Sequence, residues 1–344
     1  MVSSNPGDLK EVYVLHGTAS DAERKIIAIL KVLSESSEPL GSITIARELE
    51  RHGIFLSERA VRYHLKIMDE RGYTKPLGRD GRSITPTGLE ELKSALAPDQ
   101  VGFILERLEL LAFRVSFNPF KKTGQVAVNT SLIDEDKFRL AMEPVGEAIE
   151  AGFCVSDLVA VASAGDKLGD VVVPDGKIGL ATICGVTING ALLKAGVPIE
   201  SRFGGVLEIR NALPRRFVAI INYAGTSIDP SEQYIRAGMT SVLEASRTGN
   251  GKVLANFREI PAAARGLVED TIKALKETGI NGVYVLGNIS EPVCQIAVGM
   301  NRIGMVLFGG LNPLSAAVEA GIRIENVGES GMMDFQSLTS FRRI

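Results

Sequence analysis

Cysteine and histidine are scarce in this chain, and their scarcity excludes several classes of site. The three cysteines form no CxxC pair and have no histidine nearby in sequence, so neither a disulfide framework nor a zinc site explains them. Such usage fits a protein of the reducing cytoplasm. All three histidines, His16, His52 and His64, lie far before Cys184. A Cys-His or Ser-His acyl-transfer site built around Cys184 therefore lacks its imidazole.

Long apolar runs are also absent. No stretch of about 18 apolar residues occurs, so the sequence predicts no membrane-spanning helix. Residues 1–19 have neither the basic start nor the apolar core of a signal peptide and are predicted to be a flexible leader. Hydrophobic residues nevertheless make up 45% of the 344 residues, enough for two or three folded units. The net charge is −3, so affinity for nucleic acid has to come from a local basic surface.

Residues 20–97 contain such a surface within a recognisable order of elements. Apolar residues at helical spacing predict helices over 21–34 and 42–51 and a third helix that Ser57 caps. An Asp-Gly pair further on is typical of a tight hairpin turn. Three helices followed by a hairpin predict a winged helix-turn-helix domain.

The third helix separates apolar from basic residues. Val61, Leu65 and Met68 fall on one face, while the other face and the hairpin carry most of the eight Lys and Arg found between residues 51 and 82, against four Asp and Glu. Donors on one helix face suit the phosphates and base edges of double-stranded DNA. The predicted DNA-binding residues are Ser57, Arg59, Arg62, Tyr63, Lys66, Arg79 and Arg82. The alternative is that these cations only solvate the helix.

The rest of the chain contains a repeat. Residues 178–200 align without a gap on residues 303–325, with eight of 23 positions identical at a constant shift of 125. Fainter matches upstream extend the halves to roughly 124–210 and 251–344. Chance matching of Gly and Ala is the alternative. We therefore predict an α+β protein, in which the winged helix precedes an α/β regulatory domain over 98–344 built from two pseudo-repeats of about 125 residues.

Each half places a glycine turn before a helix. Gly185 precedes one helix and Gly310 the other, and Thr187 and Asn312 occupy equivalent positions near the helix N-termini. Unpaired backbone N–H groups at such ends attract small anions, and two such ends could face each other across a pseudo-twofold axis. The alternative is that the glycine turns serve helix packing alone.

The segment between the halves occurs once and is rich in polar side chains. Its cations and hydroxyls offer more capacity for binding anions than a turn needs. The polar residues of this segment include Arg202, Arg210, Arg215, Arg216, Thr226, Ser227, Asp229 and Arg236.

Several longer motifs in these regions resemble one family. They are VGFI at 101–104, VPDGKIGLATICGVTINGALLKAGVPIESRFGG at 173–205, RFVAIINYAGTSIDP at 216–230, IRAGMTSV at 235–242, ANFREIP at 255–261 and GLNP at 310–313. Together with the winged helix they cover nearly the whole chain and resemble the NrpR family of archaeal nitrogen-regulatory repressors. Members of that family carry one or two regulatory domains, and this chain has room for one.

The resemblance implies a repressor of nitrogen-fixation and nitrogen-assimilation genes. Such a repressor binds palindromic operators as a dimer or larger homo-oligomer and releases them when 2-oxoglutarate accumulates. A companion NrpR protein that lacks the winged helix is a further partner that the resemblance implies. No cofactor is expected, only 2-oxoglutarate as a regulatory ligand.

The resemblance and the repeat together place the ligand-binding residues. A ligand with two carboxylates and a ketone suits helix N-termini, hydroxyls and an arginine fork, and we expect it between the two halves of the repeat. The predicted ligand-binding residues are Cys184, Thr187, Asn189, Phe203, Gly204, Gly205, Thr226, Ser227, Asp229 and Asn312. No catalytic or metal-binding residue is predicted.

Two other classes of function remain open at this point. The duplicated domain could bind another protein and sense nothing. It could also be an enzyme that uses carboxylates such as Asp157, Asp166, Asp170 or Asp229, although solvation explains most acidic residues.

Overall fold

Two compact units make up the part of the chain that the structure describes. The computed structural model describes residues 21–36, 38–51, 54–78, 81–95 and 104–344, and these fall on either side of the junction between Val101 and Gly102. The predicted leader and Arg79 of the hairpin lie outside the described residues. Within the described ranges, no helix has both the length and the apolar character needed to cross a membrane.

The N-terminal unit is a winged helix. Its helices are α1 (Asp21–Ser34), α2 (Ser42–Arg51), α3 (Glu58–Glu70) and α4 (Pro86–Ala95), and its wing is an antiparallel pair of strands, β1 (Thr74–Pro76) and β2 (Arg82–Ile84). The predicted order of three helices and a hairpin is confirmed. The first three helices meet in one core that includes Ile29, Leu30, Ile45 and Leu65.

Helix α3 forms where a cap and an apolar stripe agree. The Ser57 side chain accepts a hydrogen bond of 3.3 Å from the backbone N–H of Ala60, as predicted for an N-cap. Val61, Leu65 and Met68 are fully buried along one face. Because this stripe fixes how α3 packs in the unit, the basic face of the helix is turned outward.

The C-terminal unit alternates strands and helices. Its helices are α5 (Ile104–Arg114), α6 (Glu135–Glu150), α7 (Val186–Lys194), α8 (Pro230–Arg236), α9 (Val242–Thr248), α10 (Arg265–Lys276) and α11 (Asn312–Glu319). Its strands are β3 (Gln125–Asp134), β4 (Leu158–Ala162), β5 (Lys167–Leu168), β6 (Val171–Val172), β7 (Lys177–Ile183), β8 (Glu200–Arg210), β9 (Leu213–Asn222), β10 (Gly251–Pro261), β11 (Val283–Ile289), β12 (Arg302–Phe308), β13 (Ile324–Asp334) and β14 (Thr339–Ser340).

These strands form two antiparallel sheets of five strands. The strand orders are β13-β3-β7-β4-β14 and β11-β12-β10-β8-β9. Each half of the repeat runs strand, helix, strand, strand, helix, strand, from β3 to β8 in the first half and from β10 to β13 in the second. The first half adds the short β5–β6 hairpin. The predicted construction from two similar halves is therefore confirmed.

The two halves exchange their last strands. Strand β8 ends the first half but pairs with β10 of the second half, and β13 ends the second half but pairs with β3 of the first. Each sheet thus contains strands from both halves, so neither half completes its sheet alone. The sequence repeat predicts equivalent elements but carries no sign of this exchange.

Helices α7 and α11 lie inside the unit. Every residue from Val186 to Leu192 is buried, and so is every residue from Asn312 to Ala317. A helix that is buried on all sides belongs to the interior rather than to the surface. The N-termini of both helices are therefore inside the protein.

Candidate functional sites

The outward face of α3 gathers four of the predicted DNA-binding residues. Arg59, Arg62, Tyr63 and Lys66 follow at i, i+3, i+4 and i+7 and are all exposed. The Arg62 guanidinium forms an ion pair with Glu58 one turn earlier. An ion pair this exposed contributes little to stability, so Arg62 can exchange Glu58 for a phosphate at small cost.

The other three predicted DNA-binding residues are placed differently. The Arg82 Nε lies 2.8 Å from the Asp69 carboxylate, which also accepts a 2.6 Å hydrogen bond from the Thr74 hydroxyl. These contacts tie the wing to the end of α3, so Arg82 already has a structural partner. The Ser57 hydroxyl is engaged as the helix cap, and Arg79 lies outside the described residues. Contact of these three residues with DNA stays a prediction.

A small cavity lies where the two repeats meet. It is lined by Gly185 before α7 and by Gly310 before α11, so the structure brings both helix N-termini to one place. Asn129 of β3 and Asn256 of β10 form a second matched pair in the lining. The Asn129 amide reaches the position that a Cβ on Gly310 would take, and the Asn256 amide lies 3.8 Å from the same position on Gly185. Equivalent residues of the two halves therefore meet around the cavity.

Thr187 and Asn312, predicted as ligand contacts, tie the two helices to the sheets. The Thr187 hydroxyl accepts from the N–H of Ala127 and donates to its carbonyl, both at 3.0 Å. The Asn312 amide accepts from the N–H of Leu254 at 2.7 Å and donates to its carbonyl at 2.9 Å. Neither side chain lines the cavity, so this geometry argues against direct ligand contact by either residue.

Two predicted ligand residues, Cys184 and Asp229, do line the cavity. Burial raises the pKa of the Cys184 thiol, so the thiol stays protonated and is a poor nucleophile. Asp229 caps α8, its carboxylate accepting a 2.8 Å hydrogen bond from the N–H of Glu232. Asn189 lies just outside the lining, where its amide oxygen accepts a 3.4 Å hydrogen bond from Arg258.

The other predicted ligand residues pack β8 or shape a turn, and none of them lines the cavity. They are Phe203, Gly204, Gly205, Thr226 and Ser227. Phe203 stacks on Phe257 with ring centroids 5.2 Å apart, and a Cβ on Gly204 would lie 2.9 Å from Pro230. The Thr226 hydroxyl closes a turn by local backbone hydrogen bonds of 3.1 Å. In the structure these residues serve packing and turn formation, and their direct contact with a ligand stays a prediction.

The arginine that faces the cavity is one that the sequence analysis missed. Arg258 of β10 is 2% exposed and lines the cavity, and its guanidinium carbon lies 5.0 Å from the centre of the Tyr223 ring. Among the residues that the structure describes, no carboxylate lies within ion-pair distance of it. By contrast, four of the arginines predicted to bind anions are paired with glutamates. They are Arg202, Arg210, Arg216 and Arg236.

Two buried carboxyl groups share the cavity with Arg258. Burial raises the pKa of Asp229 and of Glu329, and the nearby charge of Asp229 raises the pKa of Glu329 further. Arg107 of α5 reaches Glu329 from outside the cavity, with 3.3 Å between the Arg107 Nη2 and the Glu329 Oε2. Glu329 therefore keeps its proton at pH values where an exposed glutamate is ionised.

The raised pKa of Glu329 predicts that stability falls as pH rises. Above the unfolded-state pKa of about 4.3 and up to the higher folded-state pKa, the folded protein binds more protons than the unfolded chain. The free energy of unfolding therefore decreases with pH through that window. Glu329→Gln keeps the shape of the neutral acid, so it should lose this part of the slope. Denaturant unfolding from about pH 5 to about pH 8 measures it, and equal slopes in both proteins would contradict the assignment.

Family models match both units of the chain. A model for the NrpR regulatory domains NRD1 and 2 matches residues 101–340. A model for the ribonuclease R winged-helix domain matches residues 27–92. The first match covers more than half of the chain and includes the whole cavity.

Relatives extend the match over both units. The global nitrogen regulator NrpRI of Methanosarcina mazei is 42% identical over 316 residues, which cover 92% of this chain and 97% of the relative. The global nitrogen regulator NrpR of Methanococcus maripaludis is 33% identical, over 91% of this chain but 54% of its own length. The crystal structure of a nitrogen repressor-like protein from Methanococcus jannaschii superposes with a TM-score of 0.60 at 29% identity, covering 70% of this chain and 99% of that one. The chain belongs to the NrpR family.

Proposed function

We propose that this protein is a ligand-responsive repressor of nitrogen-assimilation genes. It binds palindromic operator DNA as a dimer through the outward face of α3, and 2-oxoglutarate releases it. Family membership and the winged helix support the regulatory part of the proposal. The names of the relatives describe regulators, which favours regulation over catalysis. A companion NrpR protein without a winged helix is a further proposed partner.

The observation that carries the ligand part of the proposal is the buried guanidinium of Arg258. A buried cation without a carboxylate at ion-pair distance is costly, and an anion entering the cavity would compensate it. That anion would also meet two helix N-termini and the amides of Asn129 and Asn256. The two carboxylates and the ketone of 2-oxoglutarate match donors of these kinds.

The size of the cavity supports a ligand that acts as a switch. Its free volume is about 20 Å³, room for about one water molecule. A five-carbon dicarboxylate needs more room than this, so its entry requires the walls of the cavity to move apart. Because those walls come from both repeats, we expect the ligand to prefer a conformation in which the repeats are spaced differently. A coupling of about 1 to 3 kcal/mol, roughly 5 to 150-fold in operator affinity, is normal for such a switch.

Titration calorimetry with the full-length protein tests the ligand site. We expect 2-oxoglutarate to bind, and its affinity to fall at least about tenfold in Arg258→Gln, because a charge-assisted hydrogen bond worth about 1.5–3 kcal/mol is lost. Arg215→Gln, on the exposed surface of β9, is the matched control and should bind as the wild type does. Thermal unfolding without ligand verifies that each variant is folded.

Two results would overturn the ligand assignment. Equal affinity of Arg258→Gln and wild type would show that the cavity is not the site. No heat and no thermal stabilisation with the wild-type protein would favour the alternative, in which the duplicated domain only binds another protein.

A further inference from the structure

The segment that carries Glu329 interrupts strand β13. Strands β13 and β3 are in register up to Val327 and again from Gly331, and between these residues Glu329 has a φ of +48°. A left-handed backbone costs a residue with a side chain about 1–2 kcal/mol, and strain of this kind is typical of functional positions. The equivalent position of the first half is Gly204, so the buried acid belongs to the second half alone.

Side chains from elsewhere in the unit hold this segment in place. The Glu329 N–H donates to the Asn129 amide oxygen at 3.0 Å. The N–H of Gly328 donates to the Glu232 carboxylate at 2.8 Å. These bonds replace those of the interrupted ladder and fix the Glu329 carboxyl at the cavity wall.

The Glu329 carboxyl connects the cavity to helix α5. Its side chain is 7% exposed, whereas that of its partner Arg107 is 43% exposed. The next residue of α5, Leu108, lines the cavity itself. In chain order, α5 is the first described helix after the winged-helix unit. The contact between Arg107 and Glu329 therefore joins the cavity wall to the element through which the chain enters the regulatory unit.

We propose that Glu329 holds the place of a ligand carboxylate in the closed cavity, and that 2-oxoglutarate takes Arg107 from it on entering. This inference rests on the proposed function and names the exchange by which the site responds. A ligand carboxylate replaces the protonated Glu329 carboxyl on the same guanidinium, so Arg107 exchanges a neutral partner for an anion and neutral ligands are disfavoured.

Displacement of Glu329 from Arg107 affects both the Glu329 carboxyl and helix α5. Burial beside Asp229 raises the pKa of Glu329, so the displaced carboxyl keeps its proton and leaves no buried charge. Helix α5 is then no longer held to β13 by the contact between Arg107 and Glu329. Ligand binding thereby changes the position of α5 through a difference in contacts, as a conformational switch requires.

Two substitutions with opposite expected effects test the exchange. Glu329→Gly removes the carboxyl that competes for Arg107, so 2-oxoglutarate should bind at least about fivefold more tightly. Arg107→Gln removes the receptor of the ligand carboxylate, so binding should weaken at least about fivefold. Arg114→Gln, at the exposed end of the same helix, is the control and should leave the affinity unchanged. If the contact between Arg107 and Glu329 were merely structural, both substitutions would shift the affinity for 2-oxoglutarate in the same direction.

Calorimetry with the full-length protein separates failure of this inference from failure of the proposed function. If wild type binds 2-oxoglutarate and Arg258→Gln does not, but Glu329→Gly binds no more tightly than wild type, the exchange is overturned and the assignment of the ligand to the cavity is retained. If the wild-type protein does not bind 2-oxoglutarate, both the exchange and the ligand part of the proposed function are overturned. Glu329→Gly is chosen because glycine suits the φ of +48° and removes the carboxyl. Glu329→Gln is the second variant, because it keeps a neutral acceptor for Arg107 and should bind much as the wild type does. A gain in affinity in Glu329→Gln but not in a folded Glu329→Gly protein overturns the exchange as well.

Discussion

Replacing Arg59, Arg62 and Lys66 together by alanine is expected to lower operator affinity about a thousandfold. Each of the three side chains is exposed on one face of α3, where it can donate to phosphates or base edges. Hydrogen bonds from charged donors contribute about 1.5–3 kcal/mol each, and three at the lower end amount to roughly a factor of a thousand. Fluorescence anisotropy with a promoter fragment, repeated at several salt concentrations, measures the change.

The salt dependence separates a loss of contacts from a loss of folding. Each phosphate contact removed should reduce the salt slope by about 0.9, so the triple variant should lose about 2 to 3. Unfolding should change little, because all three side chains are exposed. Lys31→Ala, on the exposed surface of α1, is the matched control and should bind as the wild type does. Wild-type affinity and slope in the triple variant would show that α3 is not the recognition helix.

Asn312→Ala is expected to destabilise the regulatory unit by about 1–3 kcal/mol. The side chain makes two buried hydrogen bonds to Leu254, one to its N–H and one to its carbonyl. The Leu254 carbonyl also accepts a 2.8 Å hydrogen bond from the N–H of Gly309, so only the Leu254 N–H loses its partner, and leaving such a buried group unpaired costs about 1–3 kcal/mol. Thr187→Ala should act in the same direction, because Thr187 makes the equivalent pair of bonds to Ala127. Denaturant unfolding measures both free energies.

This prediction decides between two roles for the same residues. The sequence assigns Thr187 and Asn312 to the ligand, whereas in the structure both side chains form hydrogen bonds with the backbone of the sheets. Asn222→Ala, at an exposed position at the end of β9, is the control and should change stability by less than about 0.5 kcal/mol. An Asn312→Ala protein with wild-type stability but no affinity for 2-oxoglutarate would restore the ligand role.

The winged helix and the order of elements in the repeat were predictable because their signals are local. The Ser57 cap and the apolar stripe of α3 lie within one helix, so no distant contact is needed to recognise them. Helix and strand spacing is retained between the halves, and the repeat therefore predicts equivalent elements. Family resemblance extended this from fold to a regulatory role that spacing alone does not reach.

The exchange of β8 and β13 was not predictable, because a strand has the same pattern whichever sheet it joins. The hydrogen-bond partners of Thr187 and Asn312 were not predictable either, because they are backbone groups that lie 60 and 58 residues away in the sequence. Arg258 left a weak signal. An Arg-Glu pair stands inside β10 where the aligned strand of the first half has Ser131 and Leu132. Charged residues within a strand that is otherwise buried need a partner or a ligand.

The response of operator binding to 2-oxoglutarate tests the central claim most directly. The account predicts that saturating 2-oxoglutarate weakens binding of the wild-type protein to its operator by roughly 5 to 150-fold, and that Arg258→Gln keeps operator binding but loses the response. Anisotropy titrations of both proteins with and without the ligand give all four affinities. An operator affinity of the wild-type protein that is unchanged by the ligand, or a full response in Arg258→Gln, would contradict the account.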